Sequence, residues 1–205
     1  DVPPDVPPEV ATPDTAVDGA DTDASPVWPP VTDSTAAWSL CLSAHTSPNA
    51  EPGYRPRQQE LRLISEAVVR LIRRDFSWRK SEPNQGEFDF DGYDALVDEA
   101  TSYGVEILGL LVYGNPWAAD HPSDIPPDVF ANSVRAVVSH FAGRVRYYEV
   151  WNEQNSAFFW PGGPDPQAYG ELLKASYEAA KEADPDCQVV FGGMFPMSTV
   201  FGGEM

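Results

Sequence analysis

The stretch Val145-Arg-Tyr-Tyr-Glu-Val-Trp-Asn-Glu153 decides how this chain is read. Its β-branched and aromatic residues predict a strand buried in a sheet and running as far as Glu153. An amide and a carboxylate, Asn152 and Glu153, stand where the chain leaves that strand. Three earlier strands predicted from the same kind of run also end on polar and aromatic residues. These are His45, Asp75 to Trp78, and Tyr113 to Trp117. Chemistry gathered at the C-terminal ends of successive parallel strands is what a (β/α)8 barrel uses.

Periodicity supplies the elements between those ends. Strands are expected over 38–45, 68–76, 105–113, up to 153, and over 187–191. Between them fall helical patterns. Leu61, Ile64 and Ala67 share one face, and Tyr93, Leu96, Val97, Ala100 and Tyr103 share another, with Gly104 as the stop. Phe130, Val134, Val137, Val138 and Phe141 line a third helix closed by Gly143. Asp165 and Pro166 supply an N-cap and a first-turn proline for a fourth helix, which buries Tyr169, Leu172, Leu173, Ser176 and Ala180. Strands alternating with helices predict parallel βαβ units. A doubly wound nucleotide-binding sheet is the other closure, but no G-x-G-x-x-G follows any strand. The fold expected is therefore α/β, a partial (β/α)8 TIM barrel holding strands 1–5 only. A whole barrel takes about 250 residues, so 36–205 reads as the N-terminal part of one.

Residues 1–35 are a different material. Asp-Val-Pro-Pro occurs at 1–4 and again at 5–8, followed by a Thr, Asp, Ala and Pro mixture. Proline without a hydrophobic set predicts a disordered, extended linker, either a plain tail or a spacer attaching the domain to a cell surface. The chain carries a net charge of −19, and no Lys or Arg precedes Arg55. That balance argues against nucleic acid or an anionic membrane as partner. No apolar run is long enough to span a bilayer. Secretion is expected, although no signal sequence is present in the chain. Cys41 and Cys187 lack zinc-like spacing and are expected to be buried free thiols. His121 and His140 read as loop and helix-surface residues, so neither a metal nor a cofactor is expected.

The stretches Arg73-Arg-Asp-Phe-Ser-Trp78 and Leu110-Leu-Val-Tyr-Gly-Asn-Pro-Trp117 resemble strand ends of the clan A glycoside hydrolases. Tyr148-Glu-Val-Trp-Asn-Glu-Gln-Asn155, with Phe159-Trp160 and Val189-Val-Phe-Gly-Gly193, is similar to glycoside hydrolase family 39, which includes β-xylosidases and α-L-iduronidases. Gln154 stands where many relatives have proline. The resemblance implies a retaining hydrolase of O-glycosidic bonds in oligo- or polysaccharides, with Glu153 as acid/base and Asn152 bonding the sugar 2-hydroxyl. It further implies a nucleophilic Glu ending a seventh strand. Residues 36–205 do not reach that strand, Glu204 is no substitute, and the fragment alone is expected to be inactive. Arg73 reads either as the group orienting that nucleophile or as a structural cation paired with Glu149. Trp78, Trp117, Trp151 and Trp160 offer flat faces for sugar stacking or for core packing, with Trp160 the preferred platform. His45 and Tyr113 complete the expected substrate-binding set. A non-catalytic carbohydrate-binding or scaffold protein with a degenerate barrel is the competing function, separated from the first by whether a Glu ends strand 7.

Overall fold

The computed structural model describes residues 41–44 and 56–196. The expected linker over 1–35 and the candidate His45 lie outside the described residues. Five parallel strands alternate with helices: β1 Cys41–Ser43, α1 Arg57–Glu66, β2 Leu71–Ser77, α2 Trp78–Ser81, α3 Asp91–Ser102, β3 Glu106–Val112, α4 Pro127–His140, β4 Tyr147–Val150, α5 Pro166–Ala183 and β5 Gln188–Phe191. All pairings are parallel and the sheet order is β1-β2-β3-β4-β5. A doubly wound sheet reverses direction partway and breaks that sequence. Strict sequential order is the winding of a (β/α)8 barrel, seen here through its first five strands.

Period-two alternation divides each strand between two environments. Ile72 and Phe76 of β2, Ile107 and Leu111 of β3, and Tyr148 and Val150 of β4 enter the apolar core with Leu96, Val97, Phe130, Val134, Val137, Val138 and Leu172 of the helices. The Phe76 ring meets Tyr93 at 4.7 Å and Phe141 at 5.3 Å, which ties β2 to the helix layer. Gly109 lies between two of these rings: an added Cβ would stand 3.4 Å from both Phe76 and Tyr148, in ordinary contact. The intervening residues, including Arg73, Asp75, Tyr147 and Glu149, therefore point to the inner side of the curved sheet.

Helix boundaries follow from local chemistry. The Asp165 carboxylate accepts from the Gln167 and Ala168 amides at 3.1 and 2.9 Å, forming the expected N-cap. Gly104 and Gly143 end α3 and α4 with φ of +68° and +73°, in the left-handed region that side chains resist. Four expectations require correction. Ala67 lies beyond the C-terminus of α1 and is exposed, and Leu173 is only half-buried. Cys41 is exposed because β1 is an outer strand, whereas Cys187 is buried. Strand β4 ends at Val150, not at Glu153. Trp151 turns into the left-handed region at φ +67°, so the last three residues of the quoted stretch form a turn instead of continuing the strand.

Candidate active site

The turn that follows β4 sets the site. Trp151 and Glu153 both adopt positive φ, at +67° and +48°, on either side of Asn152. Each non-glycine residue so placed costs about 1–2 kcal/mol, and such strain persists only where surrounding contacts over-determine it. Those contacts are present. The Trp151 amide donates to the Leu111 carbonyl at 3.1 Å, and its indole N–H donates to the Phe159 carbonyl at 3.1 Å. Its ring is fully buried against Trp160, Phe130 and Tyr113. The Glu153 amide donates to the Gly193 carbonyl at 2.7 Å. Glu149 thus reaches the inner side by strand alternation, whereas Glu153 lies in the turn, close enough to Tyr113 for its charge to raise that phenol.

An ionic hub lies beneath that turn. Arg73 spans the space across β3 and grips Glu149 with two hydrogen bonds, Nε to Oε2 at 2.5 Å and Nη2 to Oε1 at 2.9 Å. The same Nη2 donates to Asn152 Oδ1 at 2.8 Å. Glu149 Oε1 also accepts the Gly193 amide at 2.6 Å. The hydrogen bond to Glu149 holds the Arg73 guanidinium still more firmly protonated than usual, against the opposing effect of burial. With its oxygen committed to Arg73, the Asn152 side chain has a fixed orientation and leaves its NH2 to donate. Asn152 and Glu149 are buried, whereas Glu153 keeps partial access to solvent.

Tyr113 closes one side. Burial pushes its phenol up to about 12, the charges of Asp75 and Glu153 add to the rise, and Arg73 and a hydrogen bond with Asn152 oppose it. It is therefore a neutral hydroxyl, able to donate or accept. Its ring stacks on Phe159 at 5.7 Å, and Phe158 beyond that ring is strongly exposed.

Three of the four expected tryptophan platforms turn into the core. Trp78, Trp151 and Trp160 are fully buried, and Trp117 is half-buried. Trp78 packs edge-on to Trp117 and Phe130, each at 5.2 Å. The polar edges of Trp78 and Trp117 are occupied as well. Trp78 Nε1 donates to Glu82 Oε2 at 2.6 Å, and Trp117 Nε1 to the Glu82 carbonyl at 3.1 Å. Asn115 Nδ2 reaches the same carbonyl at 2.8 Å, so Glu82 braces the loops after β2 and β3 against each other. Trp160, the preferred platform, sits between Trp151 and Tyr169 with no open face. Phe158 is strongly exposed, and Phe159, Tyr113 and Trp117 are partly so.

The structure brings Arg73, Tyr113, Asn152 and Glu153 together at the strand ends, with Trp151 as their apolar support. Sequence reasoning gave no functional role to Gln154, to the Gly192-Gly193 pair ending the fifth strand or to Glu82, although these residues stood in the motifs it drew on. Among the described residues, no group of three or more His, Cys, Asp or Glu could hold a metal ion. Nor is any helix there long and apolar enough to cross a membrane.

Comparison with known proteins adds the following. Residues 49–125 match the sequence profile of glycoside hydrolase family 42, described as β-galactosidase. Endo-1,4-β-xylanase A of Phanerodontia chrysosporium is 29% identical over 126 residues, covering 55% of this chain and 29% of that protein. Endo-1,4-β-xylanase B of Thermotoga neapolitana is 24% identical over 172 residues, covering 75% of this chain and 43% of the relative. The solved structure of a family 39 glycoside hydrolase from Bacteroides cellulosilyticus WH2 superposes with a TM-score of 0.57 at 25% identity, over 76% of this chain and 31% of that one. Xylanase 10B of Thermotoga maritima gives a TM-score of 0.54 at 19% identity, over 75% of this chain and 48% of that structure, a likeness of fold. The chain thus spans less than half the length of each of these proteins. Sequential parallel strands, a site at their C-terminal ends and these likenesses make the chain similar to the TIM-barrel glycoside hydrolases of clan A.

Proposed function

We propose that the full-length protein carrying this chain is a retaining glycosidase of oligo- or polysaccharides, closest in kind to family 39, with Glu153 as its acid/base. One observation carries this reading. Glu153 is held by a strained turn at the C-terminal end of β4, beside an Asn152 whose side chain is fixed by Arg73.

In a double displacement, Glu153 first protonates the departing glycosidic oxygen, while a second carboxylate about 5–5.5 Å away attacks the anomeric carbon. In the second half, Glu153 takes a proton from water as that water displaces the glycosyl group. Glu149 is not suited to be the attacking carboxylate. Both its oxygens are taken, by Arg73 and by the Gly193 amide. Asn152, with Oδ1 accepting from Arg73, directs its NH2 to a sugar hydroxyl. The neutral Tyr113 hydroxyl serves as a second polar contact, and the stacked Tyr113 and Phe159 rings offer an apolar wall to a sugar face. The relatives named xylanase and β-galactosidase favour β-linked substrates.

The experiment compares wild type with Glu153→Ala in the full-length protein, on β-xylosides and β-galactosides with good and poor leaving groups. The variant should lose poor leaving groups by about 10²–10⁴-fold and keep most of its first-step rate on activated ones. Equal loss on both, or a wild type that binds these sugars without cleaving them, contradicts the proposal.

A further inference from the structure

The ends of β4 and β5 are joined by more than their ladder. Gly192 and Gly193 have four polar backbone atoms, and all four are bonded to the β4 end or to α5 behind it. The Gly192 amide donates to the Tyr169 hydroxyl at 2.9 Å, which in turn donates to the Val150 carbonyl at 3.0 Å. The Gly192 carbonyl accepts from Gln154 Nε2 at 3.0 Å. The Gly193 amide donates to Glu149 Oε1 at 2.6 Å, and its carbonyl accepts the Glu153 amide at 2.7 Å. The approach leaves no space for a side chain at Gly192. An added Cβ would stand 2.5 Å from Gln154 Oε1, 2.7 Å from the Val150 carbonyl and 2.9 Å from that of Trp151.

From this arrangement we infer that Gly192-Gly193 and Gln154 form a clamp that aims the Glu153 carboxyl, with Gln154 as a positioning residue for proton transfer to the leaving group. The inference rests on the glycosidase reading above. Glu153 sits at positive φ, a conformation its own side chain opposes, so its backbone needs external anchors. Beyond the Ser156 amide on the Glu153 carbonyl and the paired Asn155–Phe195 bonds, two anchors flank the Glu153 side chain directly: its own amide on Gly193, and the buried side chain of the next residue, Gln154, on Gly192. Removing the second leaves Glu153 attached but less firmly aimed. Proton transfer demands hydrogen-bond reach to the leaving oxygen, so the looser aim should cost most where protonation matters most. Gln154 is one residue beyond the acid/base and nothing requires it to touch sugar, so substrate affinity should not follow.

The test replaces Gln154 by Met, which keeps length and volume but donates nothing, in the full-length protein. The readout is kcat/KM across a series of aryl β-glycosides of graded leaving-group pKa, together with KM. Glycosides with poor leaving groups should fall by about 10- to 100-fold, and activated ones by less than about threefold, with KM unchanged. The leaving-group dependence should therefore steepen. Gln154→Glu is the second variant. It has the same size, and when ionised it presents only acceptors to the Gly192 carbonyl, so it should steepen the series in the same way. A parallel fall on all leaving groups assigns Gln154 a structural role and overturns the clamp, as does no fall on any. Glu153→Ala in the same assay separates the two claims. If it fails to discriminate leaving groups, the acid/base assignment falls and the clamp with it. If it discriminates while the Gln154 variants do not, only the clamp falls.

Discussion

Removing the Arg73 guanidinium is the perturbation with the clearest calculable consequence. Arg73→Met deletes both hydrogen bonds to Glu149, at 2.5 and 2.9 Å, and the one to Asn152 at 2.8 Å. The Glu149 side chain is only 5% exposed, against 22% for Arg73, so the carboxylate is left almost out of water with the Gly193 amide as its remaining donor. Breaking a buried pair from one side costs about 3–5 kcal/mol, because the orphaned charge keeps its desolvation penalty. Replacing both partners removes that penalty. Arg73→Met/Glu149→Met should recover part of the loss, leaving about 1–3 kcal/mol each for the Asn152 oxygen without its donor and the Gly193 amide without its acceptor. The assay is urea unfolding of the full-length protein followed by tryptophan fluorescence, with the shift in midpoint read at constant m-value. A single variant that costs under about 1 kcal/mol makes the pair equivalent to a solvent-screened surface bridge and refutes the burial argument. A double variant as unstable as the single one shows that lost packing, and not an orphaned carboxylate, is responsible.

Three other outcomes follow from particular contacts. Gly192→Ala places its Cβ within 3 Å of two carbonyl oxygens, so it should destabilise by about 1–3 kcal/mol in the same urea assay; an unchanged midpoint means the strand ends are not in close contact. Trp160→Phe should lower the melting temperature and leave KM for β-glycosides within about twofold, since the Trp160 ring is wholly buried; a large KM increase at unchanged stability restores the stacking role. The Tyr113 phenol is raised by burial to about 12, so the difference in ultraviolet titration between wild type and Tyr113→Phe should show one group ionising near that pH. The sign follows: the folded chain holds this proton more tightly than the unfolded chain. Any stability from it is complete below about pH 10 and lost as pH rises through about 12, and partial exposure of Tyr113 reduces its size. A difference titration centred near 10 contradicts the assigned environment.

Much of this architecture is legible in the sequence because burial leaves a period. The α4 stripe of Phe130, Val134, Val137, Val138 and Phe141 is buried throughout, and the Asp165 cap and the glycine stops at 104 and 143 stand where local chemistry puts them. The end of β4 is a different case. Glu-Val-Trp-Asn-Glu reads as continuous strand, and no glycine or proline marks the left-handed residues Trp151 and Glu153. Tertiary hydrogen bonds to the Leu111 and Gly193 carbonyls impose that turn, and a local pattern cannot carry them. The tryptophans illustrate a second limit. A wide apolar ring suits a sugar face and a core equally well, so only burial separates the roles, and here it sends Trp78, Trp151 and Trp160 inward. Phe158, exposed at the rim, carried no pattern to single it out. Arg73 and Glu149 were legible as ionic groups on the inner faces of strands, but the link from Arg73 to Asn152 needed the β4 turn to exist first.

The central claim, that Glu153 is the acid/base of a retaining enzyme, is tested most directly by the product that Glu153→Ala forms from an activated β-glycoside in the presence of azide. With the carboxylate removed, a small anion can enter the face that water normally attacks, without needing a base. Proton NMR should then show a β-glycosyl azide accumulating as turnover recovers. An α-glycosyl azide would mean that the deleted group was the nucleophile, and free sugar alone, at a rate that azide leaves unchanged, would mean that Glu153 is neither.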